Sequence, residues 1–282
     1  MALGDIKQGY MGLAFIGSNE LRCTDFSIQV QQQPLFYDHT IGLRDSIPVT
    51  LIGGKGDIGA LNIQKTIWRP SVKSYQGSIT FPITSLGGDP LYEYAKTGDD
   101  FDLEFQYTCG ISRNYNQCKV NSYTFTATAG DFCTVSADIM CLQGLDGTLD
   151  SKYTEVEKIV TWDDVDISIG GLGVSDCIQA FTFTVNNNCK AIYTAGGNID
   201  LSLNPILIRV GMQEIQGAIS FYNQGNILEF LEDITSPKTI SVSAYGIGID
   251  LYVLFKPQER SGSTGPVIST LPFVGVDYAL GT

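Results

Sequence analysis

The chain has 282 residues, 43% hydrophobic and 11% aromatic, with 31 glycines, a composition that can bury a sizeable core and excludes global disorder. Its 17 basic and 30 acidic residues leave a net charge of −13, which argues against tight non-specific nucleic-acid binding, because that needs Lys and Arg to displace counterions. The same balance suits ordinary solubility, or a surface past which a polyanion slides without being held.

Met1–Asp5 lacks a basic start, and Met11–Ile16 is too short for a signal core or a membrane span, so the chain is expected to fold in a cytoplasm without a membrane anchor. Of the seven cysteines, Cys109/Cys118, Cys133/Cys141 and Cys177/Cys189 match no zinc spacing, and there is no CxxC. They read mainly as small apolar core or loop residues. Disulfides formed after release from a cell stand as the alternative.

β-Branched and aromatic residues at alternating positions outnumber helical patterns, so a mainly β fold is expected. Gly12–Gly17 reads as a strand, followed by a turn at Ser18–Glu20. A return strand, Cys23–Val30, puts Phe26, Ile28 and Val30 on one face and runs into Gln31–Gln33. Residues 38–66 read as a long loop containing Gly53-Gly54-Lys55-Gly56. It lacks the GxxxxGK[ST] spacing of a phosphate-binding loop and is expected to make contacts. Tyr75-Gln76-Gly77-Ser78-Ile79-Thr80-Phe81 is a half-buried strand containing a glycine. Asp89 is an N-cap, Pro90 opens a short helix and Gly98 closes it. Strands follow at Phe101–Tyr107, Ser122–Thr128 and Cys133–Met140.

The pattern then returns. Val165–Gly171 opens a second set, and Ala180–Val185 aligns Phe181, Phe183 and Val185 with Phe26, Ile28 and Val30 at an offset of 155. The amide triplet Asn186–Asn188 falls opposite Gln31–Gln33. Ile215-Gln216-Gly217-Ala218-Ile219-Ser220-Phe221 repeats the Gln-Gly strand at an offset of 140, so the second connection is 15 residues shorter than 38–66. Asn226 caps a second short helix through Asp233, and strands follow at Ile240–Tyr245, Ile249–Phe255 and Val267–Val276. The organisation expected is two tandem domains, 1–143 and 164–282, joined by an acidic linker, 144–163.

No catalytic, cofactor or metal site can be assembled from these residues. His39 is the single histidine, and GxSxG, HExxH and EF-hand spacings are missing. Asp99, Asp100, Asp102 and Glu104 cluster, with Asp100, Asp102 and Glu104 on the strand face opposite Phe101, Leu103 and Phe105. That face reads as a solvated surface, as a negative stripe lining a passage, or, least supported, as a carboxylate pair for catalysis or metal.

With the repeat traced, the chain resembles phage tail tube proteins. The resemblance rests on the opening Lys7-Gln8-Gly9-Tyr10-Met11-Gly12, on Leu21-Arg22-Cys23-Thr24-Asp25-Phe26-Ser27-Ile28, and on a helix set between the Gln-Gly strand and the next strand in each half. It covers roughly residues 7–143 and 164–280. It implies two tube-type β-sandwich or half-barrel domains, a fold shared with type VI secretion inner-tube proteins, and a structural virion protein with no enzymatic activity. Three chains would form a pseudo-sixfold ring, and stacked rings would form the tube through which the genome reaches the host. The implied partners are other copies, sheath, baseplate or tail terminator proteins, and tape measure protein and genomic DNA in transit. Assembly would take place in the host cytoplasm, and the protein would reside in the virion tail. Ile47, Val49, Leu51, Ile52, Gly53 and Gly54 become the expected ring-stacking loop. Gln76, Ser78, Thr80, Gln216 and Ser220, with Asp100, Asp102 and Glu104, become the expected lumen face. A baseplate hub or tail-completion protein with two tube-like domains is the nearest alternative, and a receptor- or glycan-binding β-sandwich protein the second.

Overall fold

The structure is a computed structural model that describes residues 12–17, 19–32, 34–40, 49–51, 54–56, 64–70, 72–85, 88–107, 111–147, 158–170, 172–173, 177–193, 204–222, 236–245, 247–256 and 268–276. The opening motif up to Met11 and the second expected helix, 226–233, lie outside these residues. The architecture is mainly β, as the alternation predicts.

β1 (Gly12–Ile16) and β2 (Asn19–Cys23) form a hairpin, and β3 (Asp25–Gln31) follows. The expected return strand, Cys23–Val30, is β3 from Asp25 onward, while Cys23 ends a separate strand, β2, that pairs with β1. The break falls at Thr24, whose N–H and hydroxyl both donate to Thr80 O, at 2.8 and 3.2 Å. This leaves β2 on β1 and hands β3 to β8 (Ser74–Pro82), the Gln-Gly strand. In β8, Ile79 and Phe81 are buried while Gln76, Ser78 and Thr80 stand on the other face. A Cβ on Gly77 would lie 1.5 Å from Ser27 O, so only glycine allows β3 this close.

Residues 38–66 are not an irregular loop where the structure describes them. β4 (Pro34–Thr40) pairs antiparallel with β7 (Gln64–Pro70), and β5 (Val49–Leu51) with β6 (Gly54–Gly56), closing at Leu51↔Gly54. The two ladders share one register to within a residue. Within each ladder the backbone groups are paired with each other.

α1 (Pro90–Thr97) begins with the Tyr92 N–H on the Asp89 carboxylate (3.3 Å) and ends at Gly98, whose φ of 72° suits glycine. β9 (Phe101–Tyr107), β10 (Ser112–Thr128), β11 (Thr134–Cys141) and β12 (Gln143–Asp146) complete the first half. β10 starts ten residues before its expected beginning because it serves two sheets. Ser112–Cys118 pairs with β9, and Lys119–Thr126 pairs with β11.

The second half contains β13 (Asp166–Ile169), β14 (Leu172–Gly173), β15 (Ile178–Asn186), β16 (Lys190–Ile192), β17 (Leu207–Arg209), β18 (Glu214–Tyr222), β19 (Lys238–Ala244), β20 (Ile247–Phe255) and β21 (Ile268–Gly275). Its sheet order is β15-β18-β21-β20-β19-β13-β14. The first half runs β3-β8-β11-β10-β9-β1-β2, the same order element for element. Registers correspond too. Ile28↔Gly77 answers to Phe183↔Gly217, and Leu35↔Arg69 answers to Lys190↔Arg209. Thus the short β16–β17 hairpin occupies the place of the long β4–β7 ribbon.

The halves are fused by β10 and β15, paired from Ser122↔Asn186 to Thr128↔Ala180. One core runs beneath the joint. Phe125 lies 6.0 and 5.7 Å from Phe181 and Phe183, Tyr123 lies 5.7 Å from Phe183, and Phe181 lies 6.1 Å from Phe273. The segment after β12 is also tied in at its end, by bridges Thr84↔Ile159 and Phe132↔Thr161. Phe183→Ala is expected to cost about 3–5 kcal/mol and to lower the stability of both halves in one cooperative transition. Denaturant unfolding followed by circular dichroism and tryptophan fluorescence checks this, and two separate transitions with only one displaced would refute it.

Candidate functional site

The spanning sheet presents one continuous outward face through both halves. Period-2 alternation sends Phe26, Ile79, Phe81, Phe125, Val135, Phe183, Ile219 and Phe221 into the core. The intervening residues are mostly hydroxyls and amides, with Met140, Ala218, Pro272 and Val274 among them. Several bond to each other across strands: Ser27 to Ser78 (3.1 Å), Thr80 to Ser136 (3.1 Å), Ser122 to Asp138 (3.1 Å), Thr124 to Thr184 (3.0 Å) and Ser220 to Thr270 (2.8 Å). These contacts run through both halves and across the joint, and they occupy much of the face's donor capacity internally. β3, β8, β11, β15, β18, β21 and Ser122–Thr128 of β10 contain no lysine or arginine, while Asp25, Asp138 and Glu214 stand on the outward face. The surface of these strands is largely polar, and its charges are carboxylates.

The sequence-predicted residues divide between two surfaces. Gln76, Ser78, Thr80, Gln216 and Ser220 all lie on this face, and Gln76 and Gln216 are not in the sandwich interior. The acidic residues lie elsewhere. Phe26 of β3 stacks on Phe105 of β9 at 3.5 Å, so the outward side of β9 is the opposite side of the sandwich. Asp102 and Glu104 point there. Asp102 accepts the Gln117 N–H (2.8 Å), and Glu104 accepts from Gln106 and Ser112 (3.2 and 3.1 Å). Asp100 precedes β9 and is exposed. In the expected contact segment, Val49 and Leu51 lie in β5 and Gly54 in β6, whereas Ile47, Ile52 and Gly53 lie outside the described residues.

The joint contains residues to which the sequence assigned no role. Asn187 is fully buried, its Nδ2 donating to Ala95 O and Val120 O (both 2.9 Å) and its Oδ1 accepting from Gln213 (3.0 Å). Gln213 also donates to Ala95 O and Lys96 O at 2.9 and 3.2 Å. Amides of the second half thus satisfy the carbonyls that the last turn of α1 leaves unpaired. The Asn186–Asn188 triplet was the visible signal. At the other end of α1, Tyr123 donates its hydroxyl to Asp89, and burial pushes the Asp89 carboxyl up from 3.8 to about 6.

β3 ends the sheet, so its outer edge has no strand partner among the described residues. Val30 and its counterpart Val185 differ accordingly: Val30 is 56% exposed and Val185 2%. Among the described residues no cluster of His, Cys, Asp or Glu could hold a metal ion, and no helix is long and apolar enough to cross a membrane.

The family profile described as phage tail tube protein matches residues 68–275, from the end of the long ribbon through β21. The chain belongs to that family. It is a structural protein of the phage tail, in a family that is structural and not enzymatic. No curated protein matches it significantly. The family match extends through both halves of the tail tube chain and across the β10–β15 joint.

The Asp89 carboxyl provides a pH test of the joint. Its folded-state value lies above its unfolded one, so the folded tail tube chain keeps a proton that the unfolded chain has lost. The stability this contributes is complete below about pH 4 and is lost as pH rises through about 6. Chemical denaturation between pH 4 and pH 7 is expected to show a downward slope that Asp89→Asn flattens. An unchanged slope in the variant counts against a buried carboxyl.

Proposed function

We propose that this tail tube chain is the ring-forming subunit, that its two halves are copies of one tube domain, and that three chains close a pseudo-sixfold ring. The observation that carries the reading is the β10–β15 joint beside the open edge of β3. β15 and β3 occupy the same place in the two halves. Inside the chain, β15 is received by β10, whose counterpart is β20. In the ring, β3 of each chain is received by the end of β20 of the next, which pairs its open edge and covers Val30. The internal register carries over: Ser122↔Asn186 becomes Lys256 opposite Gln31 of the neighbour.

The Gln/Ser/Thr face then lines the lumen. DNA and tape measure protein pass a wall whose spanning strands carry no lysine or arginine, Lys256 entering it only at the seam between chains, and whose hydroxyls are in part bonded to each other, so neither is held specifically. Asp102 and Glu104 face outward, toward sheath, baseplate or terminator proteins. The β4–β7 ribbon, with Val49 and Leu51 near its end, bridges stacked rings. Rings assemble in the host cytoplasm and deliver the genome from the virion.

Electron microscopy of purified chain, alone or nucleated by tail partners, is expected to show tubes with three chains per ring, and six chains per ring overturns the proposal. Gln31→Cys combined with Lys256→Cys is expected to give chain-to-chain disulfides ending at a closed trimer on non-reducing gels. Monomers alone, under conditions where rings form, refute the register. Deleting residues 53–60 should leave rings but reduce tube length at least several-fold. Normal tubes from that variant remove the ribbon from stacking.

A further inference from the structure

We propose that Cys118 and Cys141 form a redox-dependent staple, reduced during assembly and oxidised to a disulfide once the protein has left the reducing cytoplasm. The two Sγ atoms are 2.8 Å apart, within about 1 Å of a disulfide bond length. The approach is produced by a specific backbone feature. β10 bulges between Tyr115 and Cys118, with Gln117 at a φ of 50° and its N–H held by Asp102. The extra residue turns Cys118 inward after the bulge. Leu142 N donates to Asn116 O (3.2 Å), which fixes the end of β11 and Cys141 beside that bulge. Both thiols are buried, and they face one another across the corner where β10 leaves β9 for β11. None of the other described cysteines has a sulfur partner among its hydrogen bonds, and all are thiols in the structure.

The chemistry needs a two-electron oxidant, and a low-molecular-weight disulfide serves. One thiolate attacks it during local opening and releases one small thiol. The second thiolate displaces the other small thiol from the mixed disulfide. One S–S bond has formed and one has broken, and the two protons end on the released thiols. Burial pushes the Cys118 thiol well above its ordinary range, so thiolate is scarce and the pair stays reduced on the timescale of assembly. The bond would close a loop with a sequence separation of 23 residues and fasten the two sheets of the first half together.

The test incubates folded protein with oxidised glutathione or with a phosphine reductant, then unfolds it in N-ethylmaleimide and maps peptides by mass spectrometry. The expected result after oxidation is a Cys118–Cys141 linked peptide, two hydrogens lighter than the separate peptides, and loss of alkylation at both positions. The oxidised protein should also melt about 5–10 °C above the reduced protein, a difference that Cys141→Ala abolishes. Full alkylation of both cysteines after oxidation, or linkage of either to another cysteine, overturns the proposal. The wild-type peptide map decides it even if the variant folds poorly.

Discussion

An unpaired sheet edge is the constraint on which this structure turns. Its backbone N–H and C=O groups must find partners, and an open apolar edge invites indiscriminate pairing. Within the chain the problem is solved once, where β10 receives β15 between Ser122 and Thr128. The length of β10 follows from that role: one end belongs to the outer sheet, and the other must carry β11 on one side and β15 on the other. Phe125, Phe181 and Phe183 pack below the ladder, and Asn187 and Gln213 fasten the end of α1 across it. A sequence boundary at 143–164 therefore separates two similar patterns of strands, while the hydrogen bonds and core contacts run straight through it.

What could be read from the sequence follows from what period-2 alternation encodes. It assigns faces, so Gln76, Ser78 and Thr80 were separable from Ile79 and Phe81, and the two Gln-Gly strands were recognisable as equivalents. Helix caps are local chemistry, and Asp89, Pro90 and Gly98 marked α1 within a residue. Alternation does not say which layer a strand joins. Asp102 and Glu104 were correctly placed opposite Phe101, Leu103 and Phe105, yet only the packing of Phe26 on Phe105 reveals that their face points away from Gln76. The ribbon was illegible for another reason. Val49–Leu51 and Gly54–Gly56 are strands because they pair with each other, and a Gly-Lys-Gly sequence has little strand tendency of its own. The start of β10, Ser-Arg-Asn-Tyr-Asn-Gln, conceals its strand character because a bulge interrupts the alternation. The amide triplet was visible, but its partners, the last carbonyls of α1, are about ninety residues away.

The polar face shows how a surface can be hydrophilic without being adhesive. Isolated hydroxyls would offer donors to phosphate. Here Ser27, Ser78, Thr80, Ser136, Thr124 and Thr184 are engaged with each other, and the charges among them are carboxylates. The same cross-strand bonds also stiffen the sheet laterally, each contributing roughly 0.5–1.5 kcal/mol net.

The unequal arms have a geometric consequence. The long β4–β7 ribbon and the short β16–β17 hairpin occupy equivalent places in otherwise matching halves. In the proposed ring of three chains, long and short arms would alternate around the circumference. A sixfold ring can be turned by any multiple of one-sixth of a revolution and still present the same surface to the next layer. A ring with alternating arms repeats only every third of a revolution. Adjacent rings of that kind would thereby be indexed, with half of the otherwise equivalent angular settings excluded by the difference between two hairpins.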